Sequence, residues 1–294
     1  MKKGLLILLF LPSLVFSQEP FRLKSSKTSE DTKFKLKDFT KEPGYTKLSS
    51  SVDSISFPLY GYEMYMPTST CGEIINYNNF SVSFCEEYRL SEWAIYYRNS
   101  SNSEHIYSRK GLYFKRDPNL KGRDADNGAY YKNPYDKGHL VPAADMNDNY
   151  ESLKETFLFT NCTPQLDKFN RGGLKELEKK IREWTIEFDN IAIITGWVVG
   201  DIKYYIYGPN IKVKEENNAG SSYIPVPNFF YKVFIDTQRK RSIAFILPNE
   251  ELTKPLLEYV VSIDYLESVT GLDFFYKLSD EDELSFEIDT GNKK

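Results

Sequence analysis

Five short apolar runs set between polar stretches constrain this chain more than any other feature. They are 80–84, 93–97, 191–199, 229–235 and 242–247. The first reads Phe-Ser-Val-Ser-Phe, the period-two alternation of a strand with one face on a core. Trp93 to Tyr97 is its expected partner, with 86–91 as the connection. Ile191 to Val199 is apolar throughout and suits a strand covered on both faces. The last two runs flank residues 236–240 and predict a strand pair around a turn. Helical patterns are few. After Gly172-Gly173, the residues Leu174, Leu177, Ile181 and Trp184 recur at helical spacing. Residues 145–156 predict a helix or turn, and 255–270 a last helix. Runs 139–142 and 157–160 are short and apolar. Residues 98–138, rich in Asp, Asn, Gly and Lys, read as a long surface loop. No internal repeat is present. The expected class is α+β, with a central sheet and few helices.

With 294 residues, 40% of them hydrophobic, the chain has room for one domain of roughly 200–250 residues plus tails. Lys2, Lys3, the apolar run Leu5 to Phe16 and the small Ser17 predict a cleaved secretory signal over 1–17. That run is too short to span a bilayer and is broken by Pro12, so no membrane association is expected. Residues 18–54 are Lys/Ser/Thr-rich and read as a flexible leader. Order is expected from Ile55 to residue 277, followed by an acidic tail over 278–294. Cys71 and Cys85 flank a short polar stretch and could close a disulfide in an exported protein. Cys162, in an apolar setting, reads as a buried, inert thiol. No CxxC or Cys/His cluster is present, which argues against structural zinc.

The net charge of −4 is unlike that of a dedicated nucleic-acid-binding domain. Its distribution is uneven. Arg109, Lys110, Lys115, Arg116, Lys121, Arg123, Lys132 and Lys137 outnumber the acids of their segment, as do the basic residues from Lys168 to Arg182. The acids gather at 280–289. A locally positive site on an acidic protein suits a polyanion. The chain has two histidines. His105 lies in a polar run and reads as a surface residue. His139 follows Asp136-Lys137-Gly138 and precedes an apolar run, so a close backbone approach and a neighbouring cation surround a group that titrates near neutrality. Downstream, Asn161 to Gln165 reads as a polar turn, Asn170 precedes the helix, and Glu178 and Arg182 share one helix face. The plain alternatives are a helix cap for Asn170 and an exposed ion pair for Glu178 and Arg182.

The series Asp136-Lys137-Gly138-His139, Asn161-Cys162-Thr163-Pro164-Gln165, Asn170 and Glu178 resembles the DNA/RNA non-specific endonucleases, the ββα-metal or His-Me finger group. Val226 to Lys232 and Ala244 to Asn249 are similar to that family's late strands, so the likeness covers about residues 80–270. The resemblance implies a ββα-metal fold with a mostly antiparallel central sheet flanked by helices. It implies an exported, sugar-non-specific nuclease acting on DNA and RNA with magnesium or manganese. His139 would be the general base and Asn170 the one direct protein ligand of the metal. Glu178 would hold water on the metal, Arg182 would lie near the phosphate, and Asn161 would steady the His139 region. Lys137 stands where the family has arginine, which keeps the charge but loses the two-pronged phosphate grip. Arg109 and Arg116 are both candidates for an upstream phosphate contact, and Asp136 is grouped with the substrate-binding residues. A homodimer is compatible with the sequence. Two other readings exist: a nuclease fold that binds nucleic acid or a surface partner without cutting, and a carbohydrate-active enzyme, for which no flanking carboxylate pair stands out.

Overall fold

The computed structural model describes residues 62–103, 106–198, 202–213 and 222–287. The expected signal over 1–17, the leader over 18–54, the start near Ile55 and His105 lie outside these residues. The strands, in chain order, are β1 (Glu73–Asn76), β2 (Phe80–Cys85), β3 (Leu90–Arg98), β4 (Tyr135–His139), β5 (Cys162–Leu166) and β6 (Ile191–Trp197). There follow β7 (Ile202–Tyr207), β8 (Asn210–Val213), β9 (Ile224–Pro227), β10 (Phe229–Asp236), β11 (Arg241–Pro248) and β12 (Val260–Val261). The helices are α1 (Tyr150–Glu155), α2 (Leu174–Phe188), α3 (Ile263–Thr270) and α4 (Asp280–Glu287).

Seven strands form one sheet in the order β1-β2-β3-β6-β10-β11-β12, antiparallel at every pair. Because side chains alternate along a strand, the sheet sorts its residues onto two buried faces. Ala94, Tyr96, Ile193, Phe230 and Phe234 meet Leu177, Ile181, Trp184 and Phe188 of α2 on one face. Trp93, Ile95, Ile194, Tyr231 and Val233 meet Ile263 and Leu266 of α3, Phe274, Phe275 and Phe286 on the other. The five apolar runs thus form the expected central sheet, buried on both faces, and the helix after Gly173 forms with the expected stripe inward. The acidic segment carries α4, which inserts Phe286 against Tyr65 and Phe275. Cys71 and Cys85 are joined by a disulfide, and Cys162 is a buried free thiol. No helix among the described residues is long and apolar enough to cross a membrane.

Four local expectations change. Leu90 and Ser91 belong to β3, so the connection from β2 is only 86–89. The loop expected over 98–138 ends in a strand, because Tyr135 to His139 pair with 162–166. The expected polar turn over 161–165 is therefore mostly strand. Its backbone groups are satisfied by the ladder whatever the side chains are. The last helix is shorter than 255–270. Val260 and Val261 pair with β11, and α3 starts afterwards, capped by Ser262 Oγ accepting from the Tyr265 amide at 3.1 Å. The hairpin of β4 and β5 followed by α2 is the ββα unit.

Candidate active site

The β4–β5 pair sets the site. Gly138 lies opposite Thr163, and the Gln165 side chain covers it. A Cβ at Gly138 would fall 2.0 Å from Gln165 Cδ, so this close packing requires glycine. Beyond the strand, Asn161 fixes the chain. Its backbone carbonyl accepts from the Leu140 amide at 3.0 Å. Its side-chain oxygen accepts from the Val141 amide at 2.8 Å, and its amide donates to the carbonyls of Val141 and Thr156, both at 3.0 Å. Asn161 thereby lies beside the end of the His139 strand.

His139 keeps partial solvent access, yet its ring lies against Phe114, with centroids 4.6 Å apart, and edge-on to Phe157 at 4.9 Å. Burial, then the like charge of Arg109, pushes the imidazole pKa down to about 3. The ring is neutral at pH 7 and open to a proton. Arg109 is exposed, and its guanidinium lies over the same Phe157 ring at 5.4 Å. Arg116 is instead engaged with Asp126 and the Gly122 carbonyl. Of the two candidate arginines, only Arg109 shares an aromatic support with His139.

Alternation along β4 puts Lys137 on the His139 face and Asp136 on the opposite one. Lys137 donates to Asn127 Oδ1 and lies over Phe159 at 5.9 Å. Asp136, grouped above with substrate contacts, is turned away. It accepts from Arg171 Nε at 2.8 Å and Nη2 at 2.7 Å, and from Asn170 Nδ2 at 3.0 Å. The Arg171 contact, with the Asn170 bond adding to it, holds the Asp136 carboxyl below its usual range. Both carboxylate oxygens are taken up by these donors, which makes Asp136 an anchor for the turn ahead of α2. The anchor has a consequence for Asn170, which sits in the wide turn Phe169–Gly173 ahead of α2. An ionised carboxylate only accepts, so the amide nitrogen must face Asp136 and the amide oxygen is left for a cation. One neutral oxygen with a carboxylate in the neighbourhood suits magnesium, which keeps most of its waters.

Glu178 and Arg182 turn inward rather than pairing along the helix surface. Arg182 donates to Asp145 Oδ1 at 3.0 Å, and Tyr96 donates to the other oxygen of Asp145 at 2.8 Å. Arg98 donates to the Asp145 carbonyl. Glu178 lies 3.9 Å from the Lys232 ammonium. Burial pushes the Glu178 carboxyl up to about 7, with Lys232 opposing the shift and Asp145 adding to it. The site therefore includes Asp145, Lys232, Tyr96, Arg98, Phe114, Phe157 and Arg171, none of which was singled out by motif. Lys232 alone left a signal: by alternation it shares a face with Phe230 and Phe234, so a core strand carries a charge that needs a buried partner.

The sequence model of the DNA/RNA non-specific endonuclease family matches residues 60–281. The human mitochondrial nuclease EXOG is 27% identical over 244 residues, which are 80% of this chain and 63% of that protein. The mitochondrial nuclease of Saccharomyces cerevisiae is 27% identical over 257 residues, 81% of this chain and 77% of its own. The chain spans 60–64% of the length of the vertebrate EXOG nucleases that it matches. Among solved structures, a chain of the EndoG/EndoGI inhibition complex superposes with a TM-score of 0.64 at 20% identity, covering 78% of this chain and 95% of that one. That likeness is one of fold, and it is the ββα-metal fold. With three quarters of its length under the family model and the ββα unit in place, the chain belongs to the DNA/RNA non-specific endonuclease family.

Proposed function

We propose that the protein is a metal-dependent endonuclease that hydrolyses phosphodiester bonds of DNA and RNA. The observation that carries the reading is that β4 both ends on His139, set against Phe114 and Phe157, and carries Asp136, which pins the amide nitrogen of Asn170. His139 takes a proton from water as the water oxygen bonds to phosphorus and the bond to the leaving ester oxygen breaks. A phosphate beside Arg109 offsets that cation's share in lowering the imidazole pKa, burial being the larger share. Asn170 would hold magnesium or manganese through its amide oxygen, with Glu178 serving the ion's water shell. Such an ion supplies charge stabilisation on the phosphate and on the leaving oxygen. Arg109 and Lys137 supply contacts to phosphate, which position a nucleic acid without reading its sequence. Lys137 does so as a point charge held by Asn127, so phosphate affinity is lower than an arginine there would give.

The protein works outside the reducing cytosol, exported by the signal over 1–17. The Cys71–Cys85 disulfide supports that reading. The test is digestion of plasmid DNA and of RNA with magnesium, with manganese and with EDTA. The reading requires cleavage of both polymers with a divalent metal and none in EDTA. Binding without cleavage under every metal would favour instead a nucleic-acid-binding protein built on the nuclease fold.

A further inference from the structure

Lys232 is 1% exposed, and its ammonium meets acceptors from three separate elements. Thr195 Oγ1 of β6, its register partner, lies at 3.1 Å. The Leu140 carbonyl, one residue past His139, lies at 3.4 Å. Glu178 of α2 lies at 3.9 Å. The first two accept hydrogen bonds from the ammonium, and Glu178 faces it as an ion pair. Around them, Asp145, Arg182, Tyr96 and Arg98 complete the charged and titratable groups of the pocket. Burial lowers the Lys232 pKa, while Glu178 and Asp145 act to keep the charge.

We propose that Lys232 is a positioning residue of the hydrolytic site, tying the chain just beyond His139 to the carboxylate of Glu178 so that base and carboxylate keep one geometry. The proposal rests on the nuclease reading above. Its physical ground is that a charge here is costly. An apolar side chain between Phe230 and Phe234 would avoid desolvating an ammonium, and buried ion pairs replaced by apolar groups often leave stability unchanged or improved. The ammonium gives geometry instead: its contacts join the residue just past β4, the sheet and α2. It is also the largest counterweight to the burial of Glu178. Its loss therefore leaves Glu178 protonated to higher pH.

The experiment is a double-mutant cycle with Lys232→Met, Glu178→Gln and the pair, reading kcat, KM and the pH profile on plasmid DNA with magnesium. The magnesium-dependent rise in Tm of each protein is the second readout. Lys232→Met should lower kcat roughly ten- to hundredfold, as loss of a group supporting a metal site does. KM should change little, the acid limb should move to higher pH, and the magnesium-dependent rise in Tm should shrink. In the Glu178→Gln background the same change should cost less than about threefold, because the carboxylate it positions is gone. Equal losses in both backgrounds, or an unmoved acid limb, would overturn the proposal. Near-UV circular dichroism checks folding, and Lys232→Gln, which keeps a donor and loses the charge, should show the same acid-limb shift if Lys232→Met does not fold. Wild-type protein that cuts neither polymer with any divalent metal would defeat the nuclease reading itself, a different outcome from an active wild type with an indifferent Lys232.

Discussion

His139 and Glu178 should make opposite contributions to stability as pH changes. The imidazole pKa is held down to about 3 in the fold, against about 6.5 unfolded. Its contribution is full above the unfolded value and is lost as pH falls toward the folded one. Glu178 is pushed up to about 7, so its ionisation costs the folded state stability above its ordinary range, and acidification relieves that cost. From pH 8 to pH 5, linkage gives a loss of about 2 kcal/mol from His139 and a gain of similar size from Glu178. The two nearly cancel in the wild type. Each substitution uncovers the other: relative to wild type, His139→Asn should gain about 2 kcal/mol on acidification over this range, and Glu178→Gln should lose a similar amount. The assay is urea unfolding in EDTA at both pH values, followed by fluorescence of the buried Trp93, Trp184 and Trp197. Taking variant minus wild type removes titrations elsewhere and any pH-independent cost of the substitution. A His139→Asn difference that stays constant to within about 0.5 kcal/mol across the range would refute the neutral, buried imidazole on which its role as a base depends.

Three further outcomes follow from individual contacts. Asn161→Ala strands the Val141 amide and the Val141 and Thr156 carbonyls; urea titration should show a loss of about 3 kcal/mol or more, with kcat reduced as the end of β4 loosens. Arg109→Ala should weaken nucleic-acid binding and flatten its salt dependence by about one phosphate contact, while Arg116→Ala, whose guanidinium is already engaged with Asp126, should leave the slope of log Kd against log salt unchanged. Replacing Cys71 and Cys85 by serine opens a loop of sequence separation 14 and should cost about 3 kcal/mol in denaturant unfolding.

How far these features could be read in advance depended on how local their cause is. The strands β2, β10 and β11 and the helix α2 follow from side-chain period, since Phe80 to Phe84 alternate and Leu174, Leu177 and Ile181 line one helix face. Strand β4 has no such pattern. Tyr-Asp-Lys-Gly-His is extended because β5 pairs with it and because Gly138 admits Gln165, a fact about residues 27 positions apart. The last helix was overextended for the same kind of reason: Val260 and Val261 satisfy their backbone on β11. His139, Asn170, Glu178, Arg182 and Asn161 are candidates that motif order alone supplies. Asp145, Tyr96 and Arg98 are not, because they meet only when β3, α2 and the turn after β4 fold together. Asp136 was grouped with the substrate-binding residues, and its place on the face opposite Lys137 and His139 follows from alternation only once β4 is known to be a strand.

The central claim is that His139 supplies the base for metal-dependent phosphodiester hydrolysis. It is tested most directly by the cleavage rate of plasmid DNA and RNA by wild type and His139→Ala, each with magnesium and with EDTA. The account predicts metal-dependent cutting of both polymers by wild type, and a kcat lower by roughly 10²–10⁴-fold in the variant with binding retained. Undiminished cleavage by His139→Ala, or cleavage indifferent to EDTA, would contradict it.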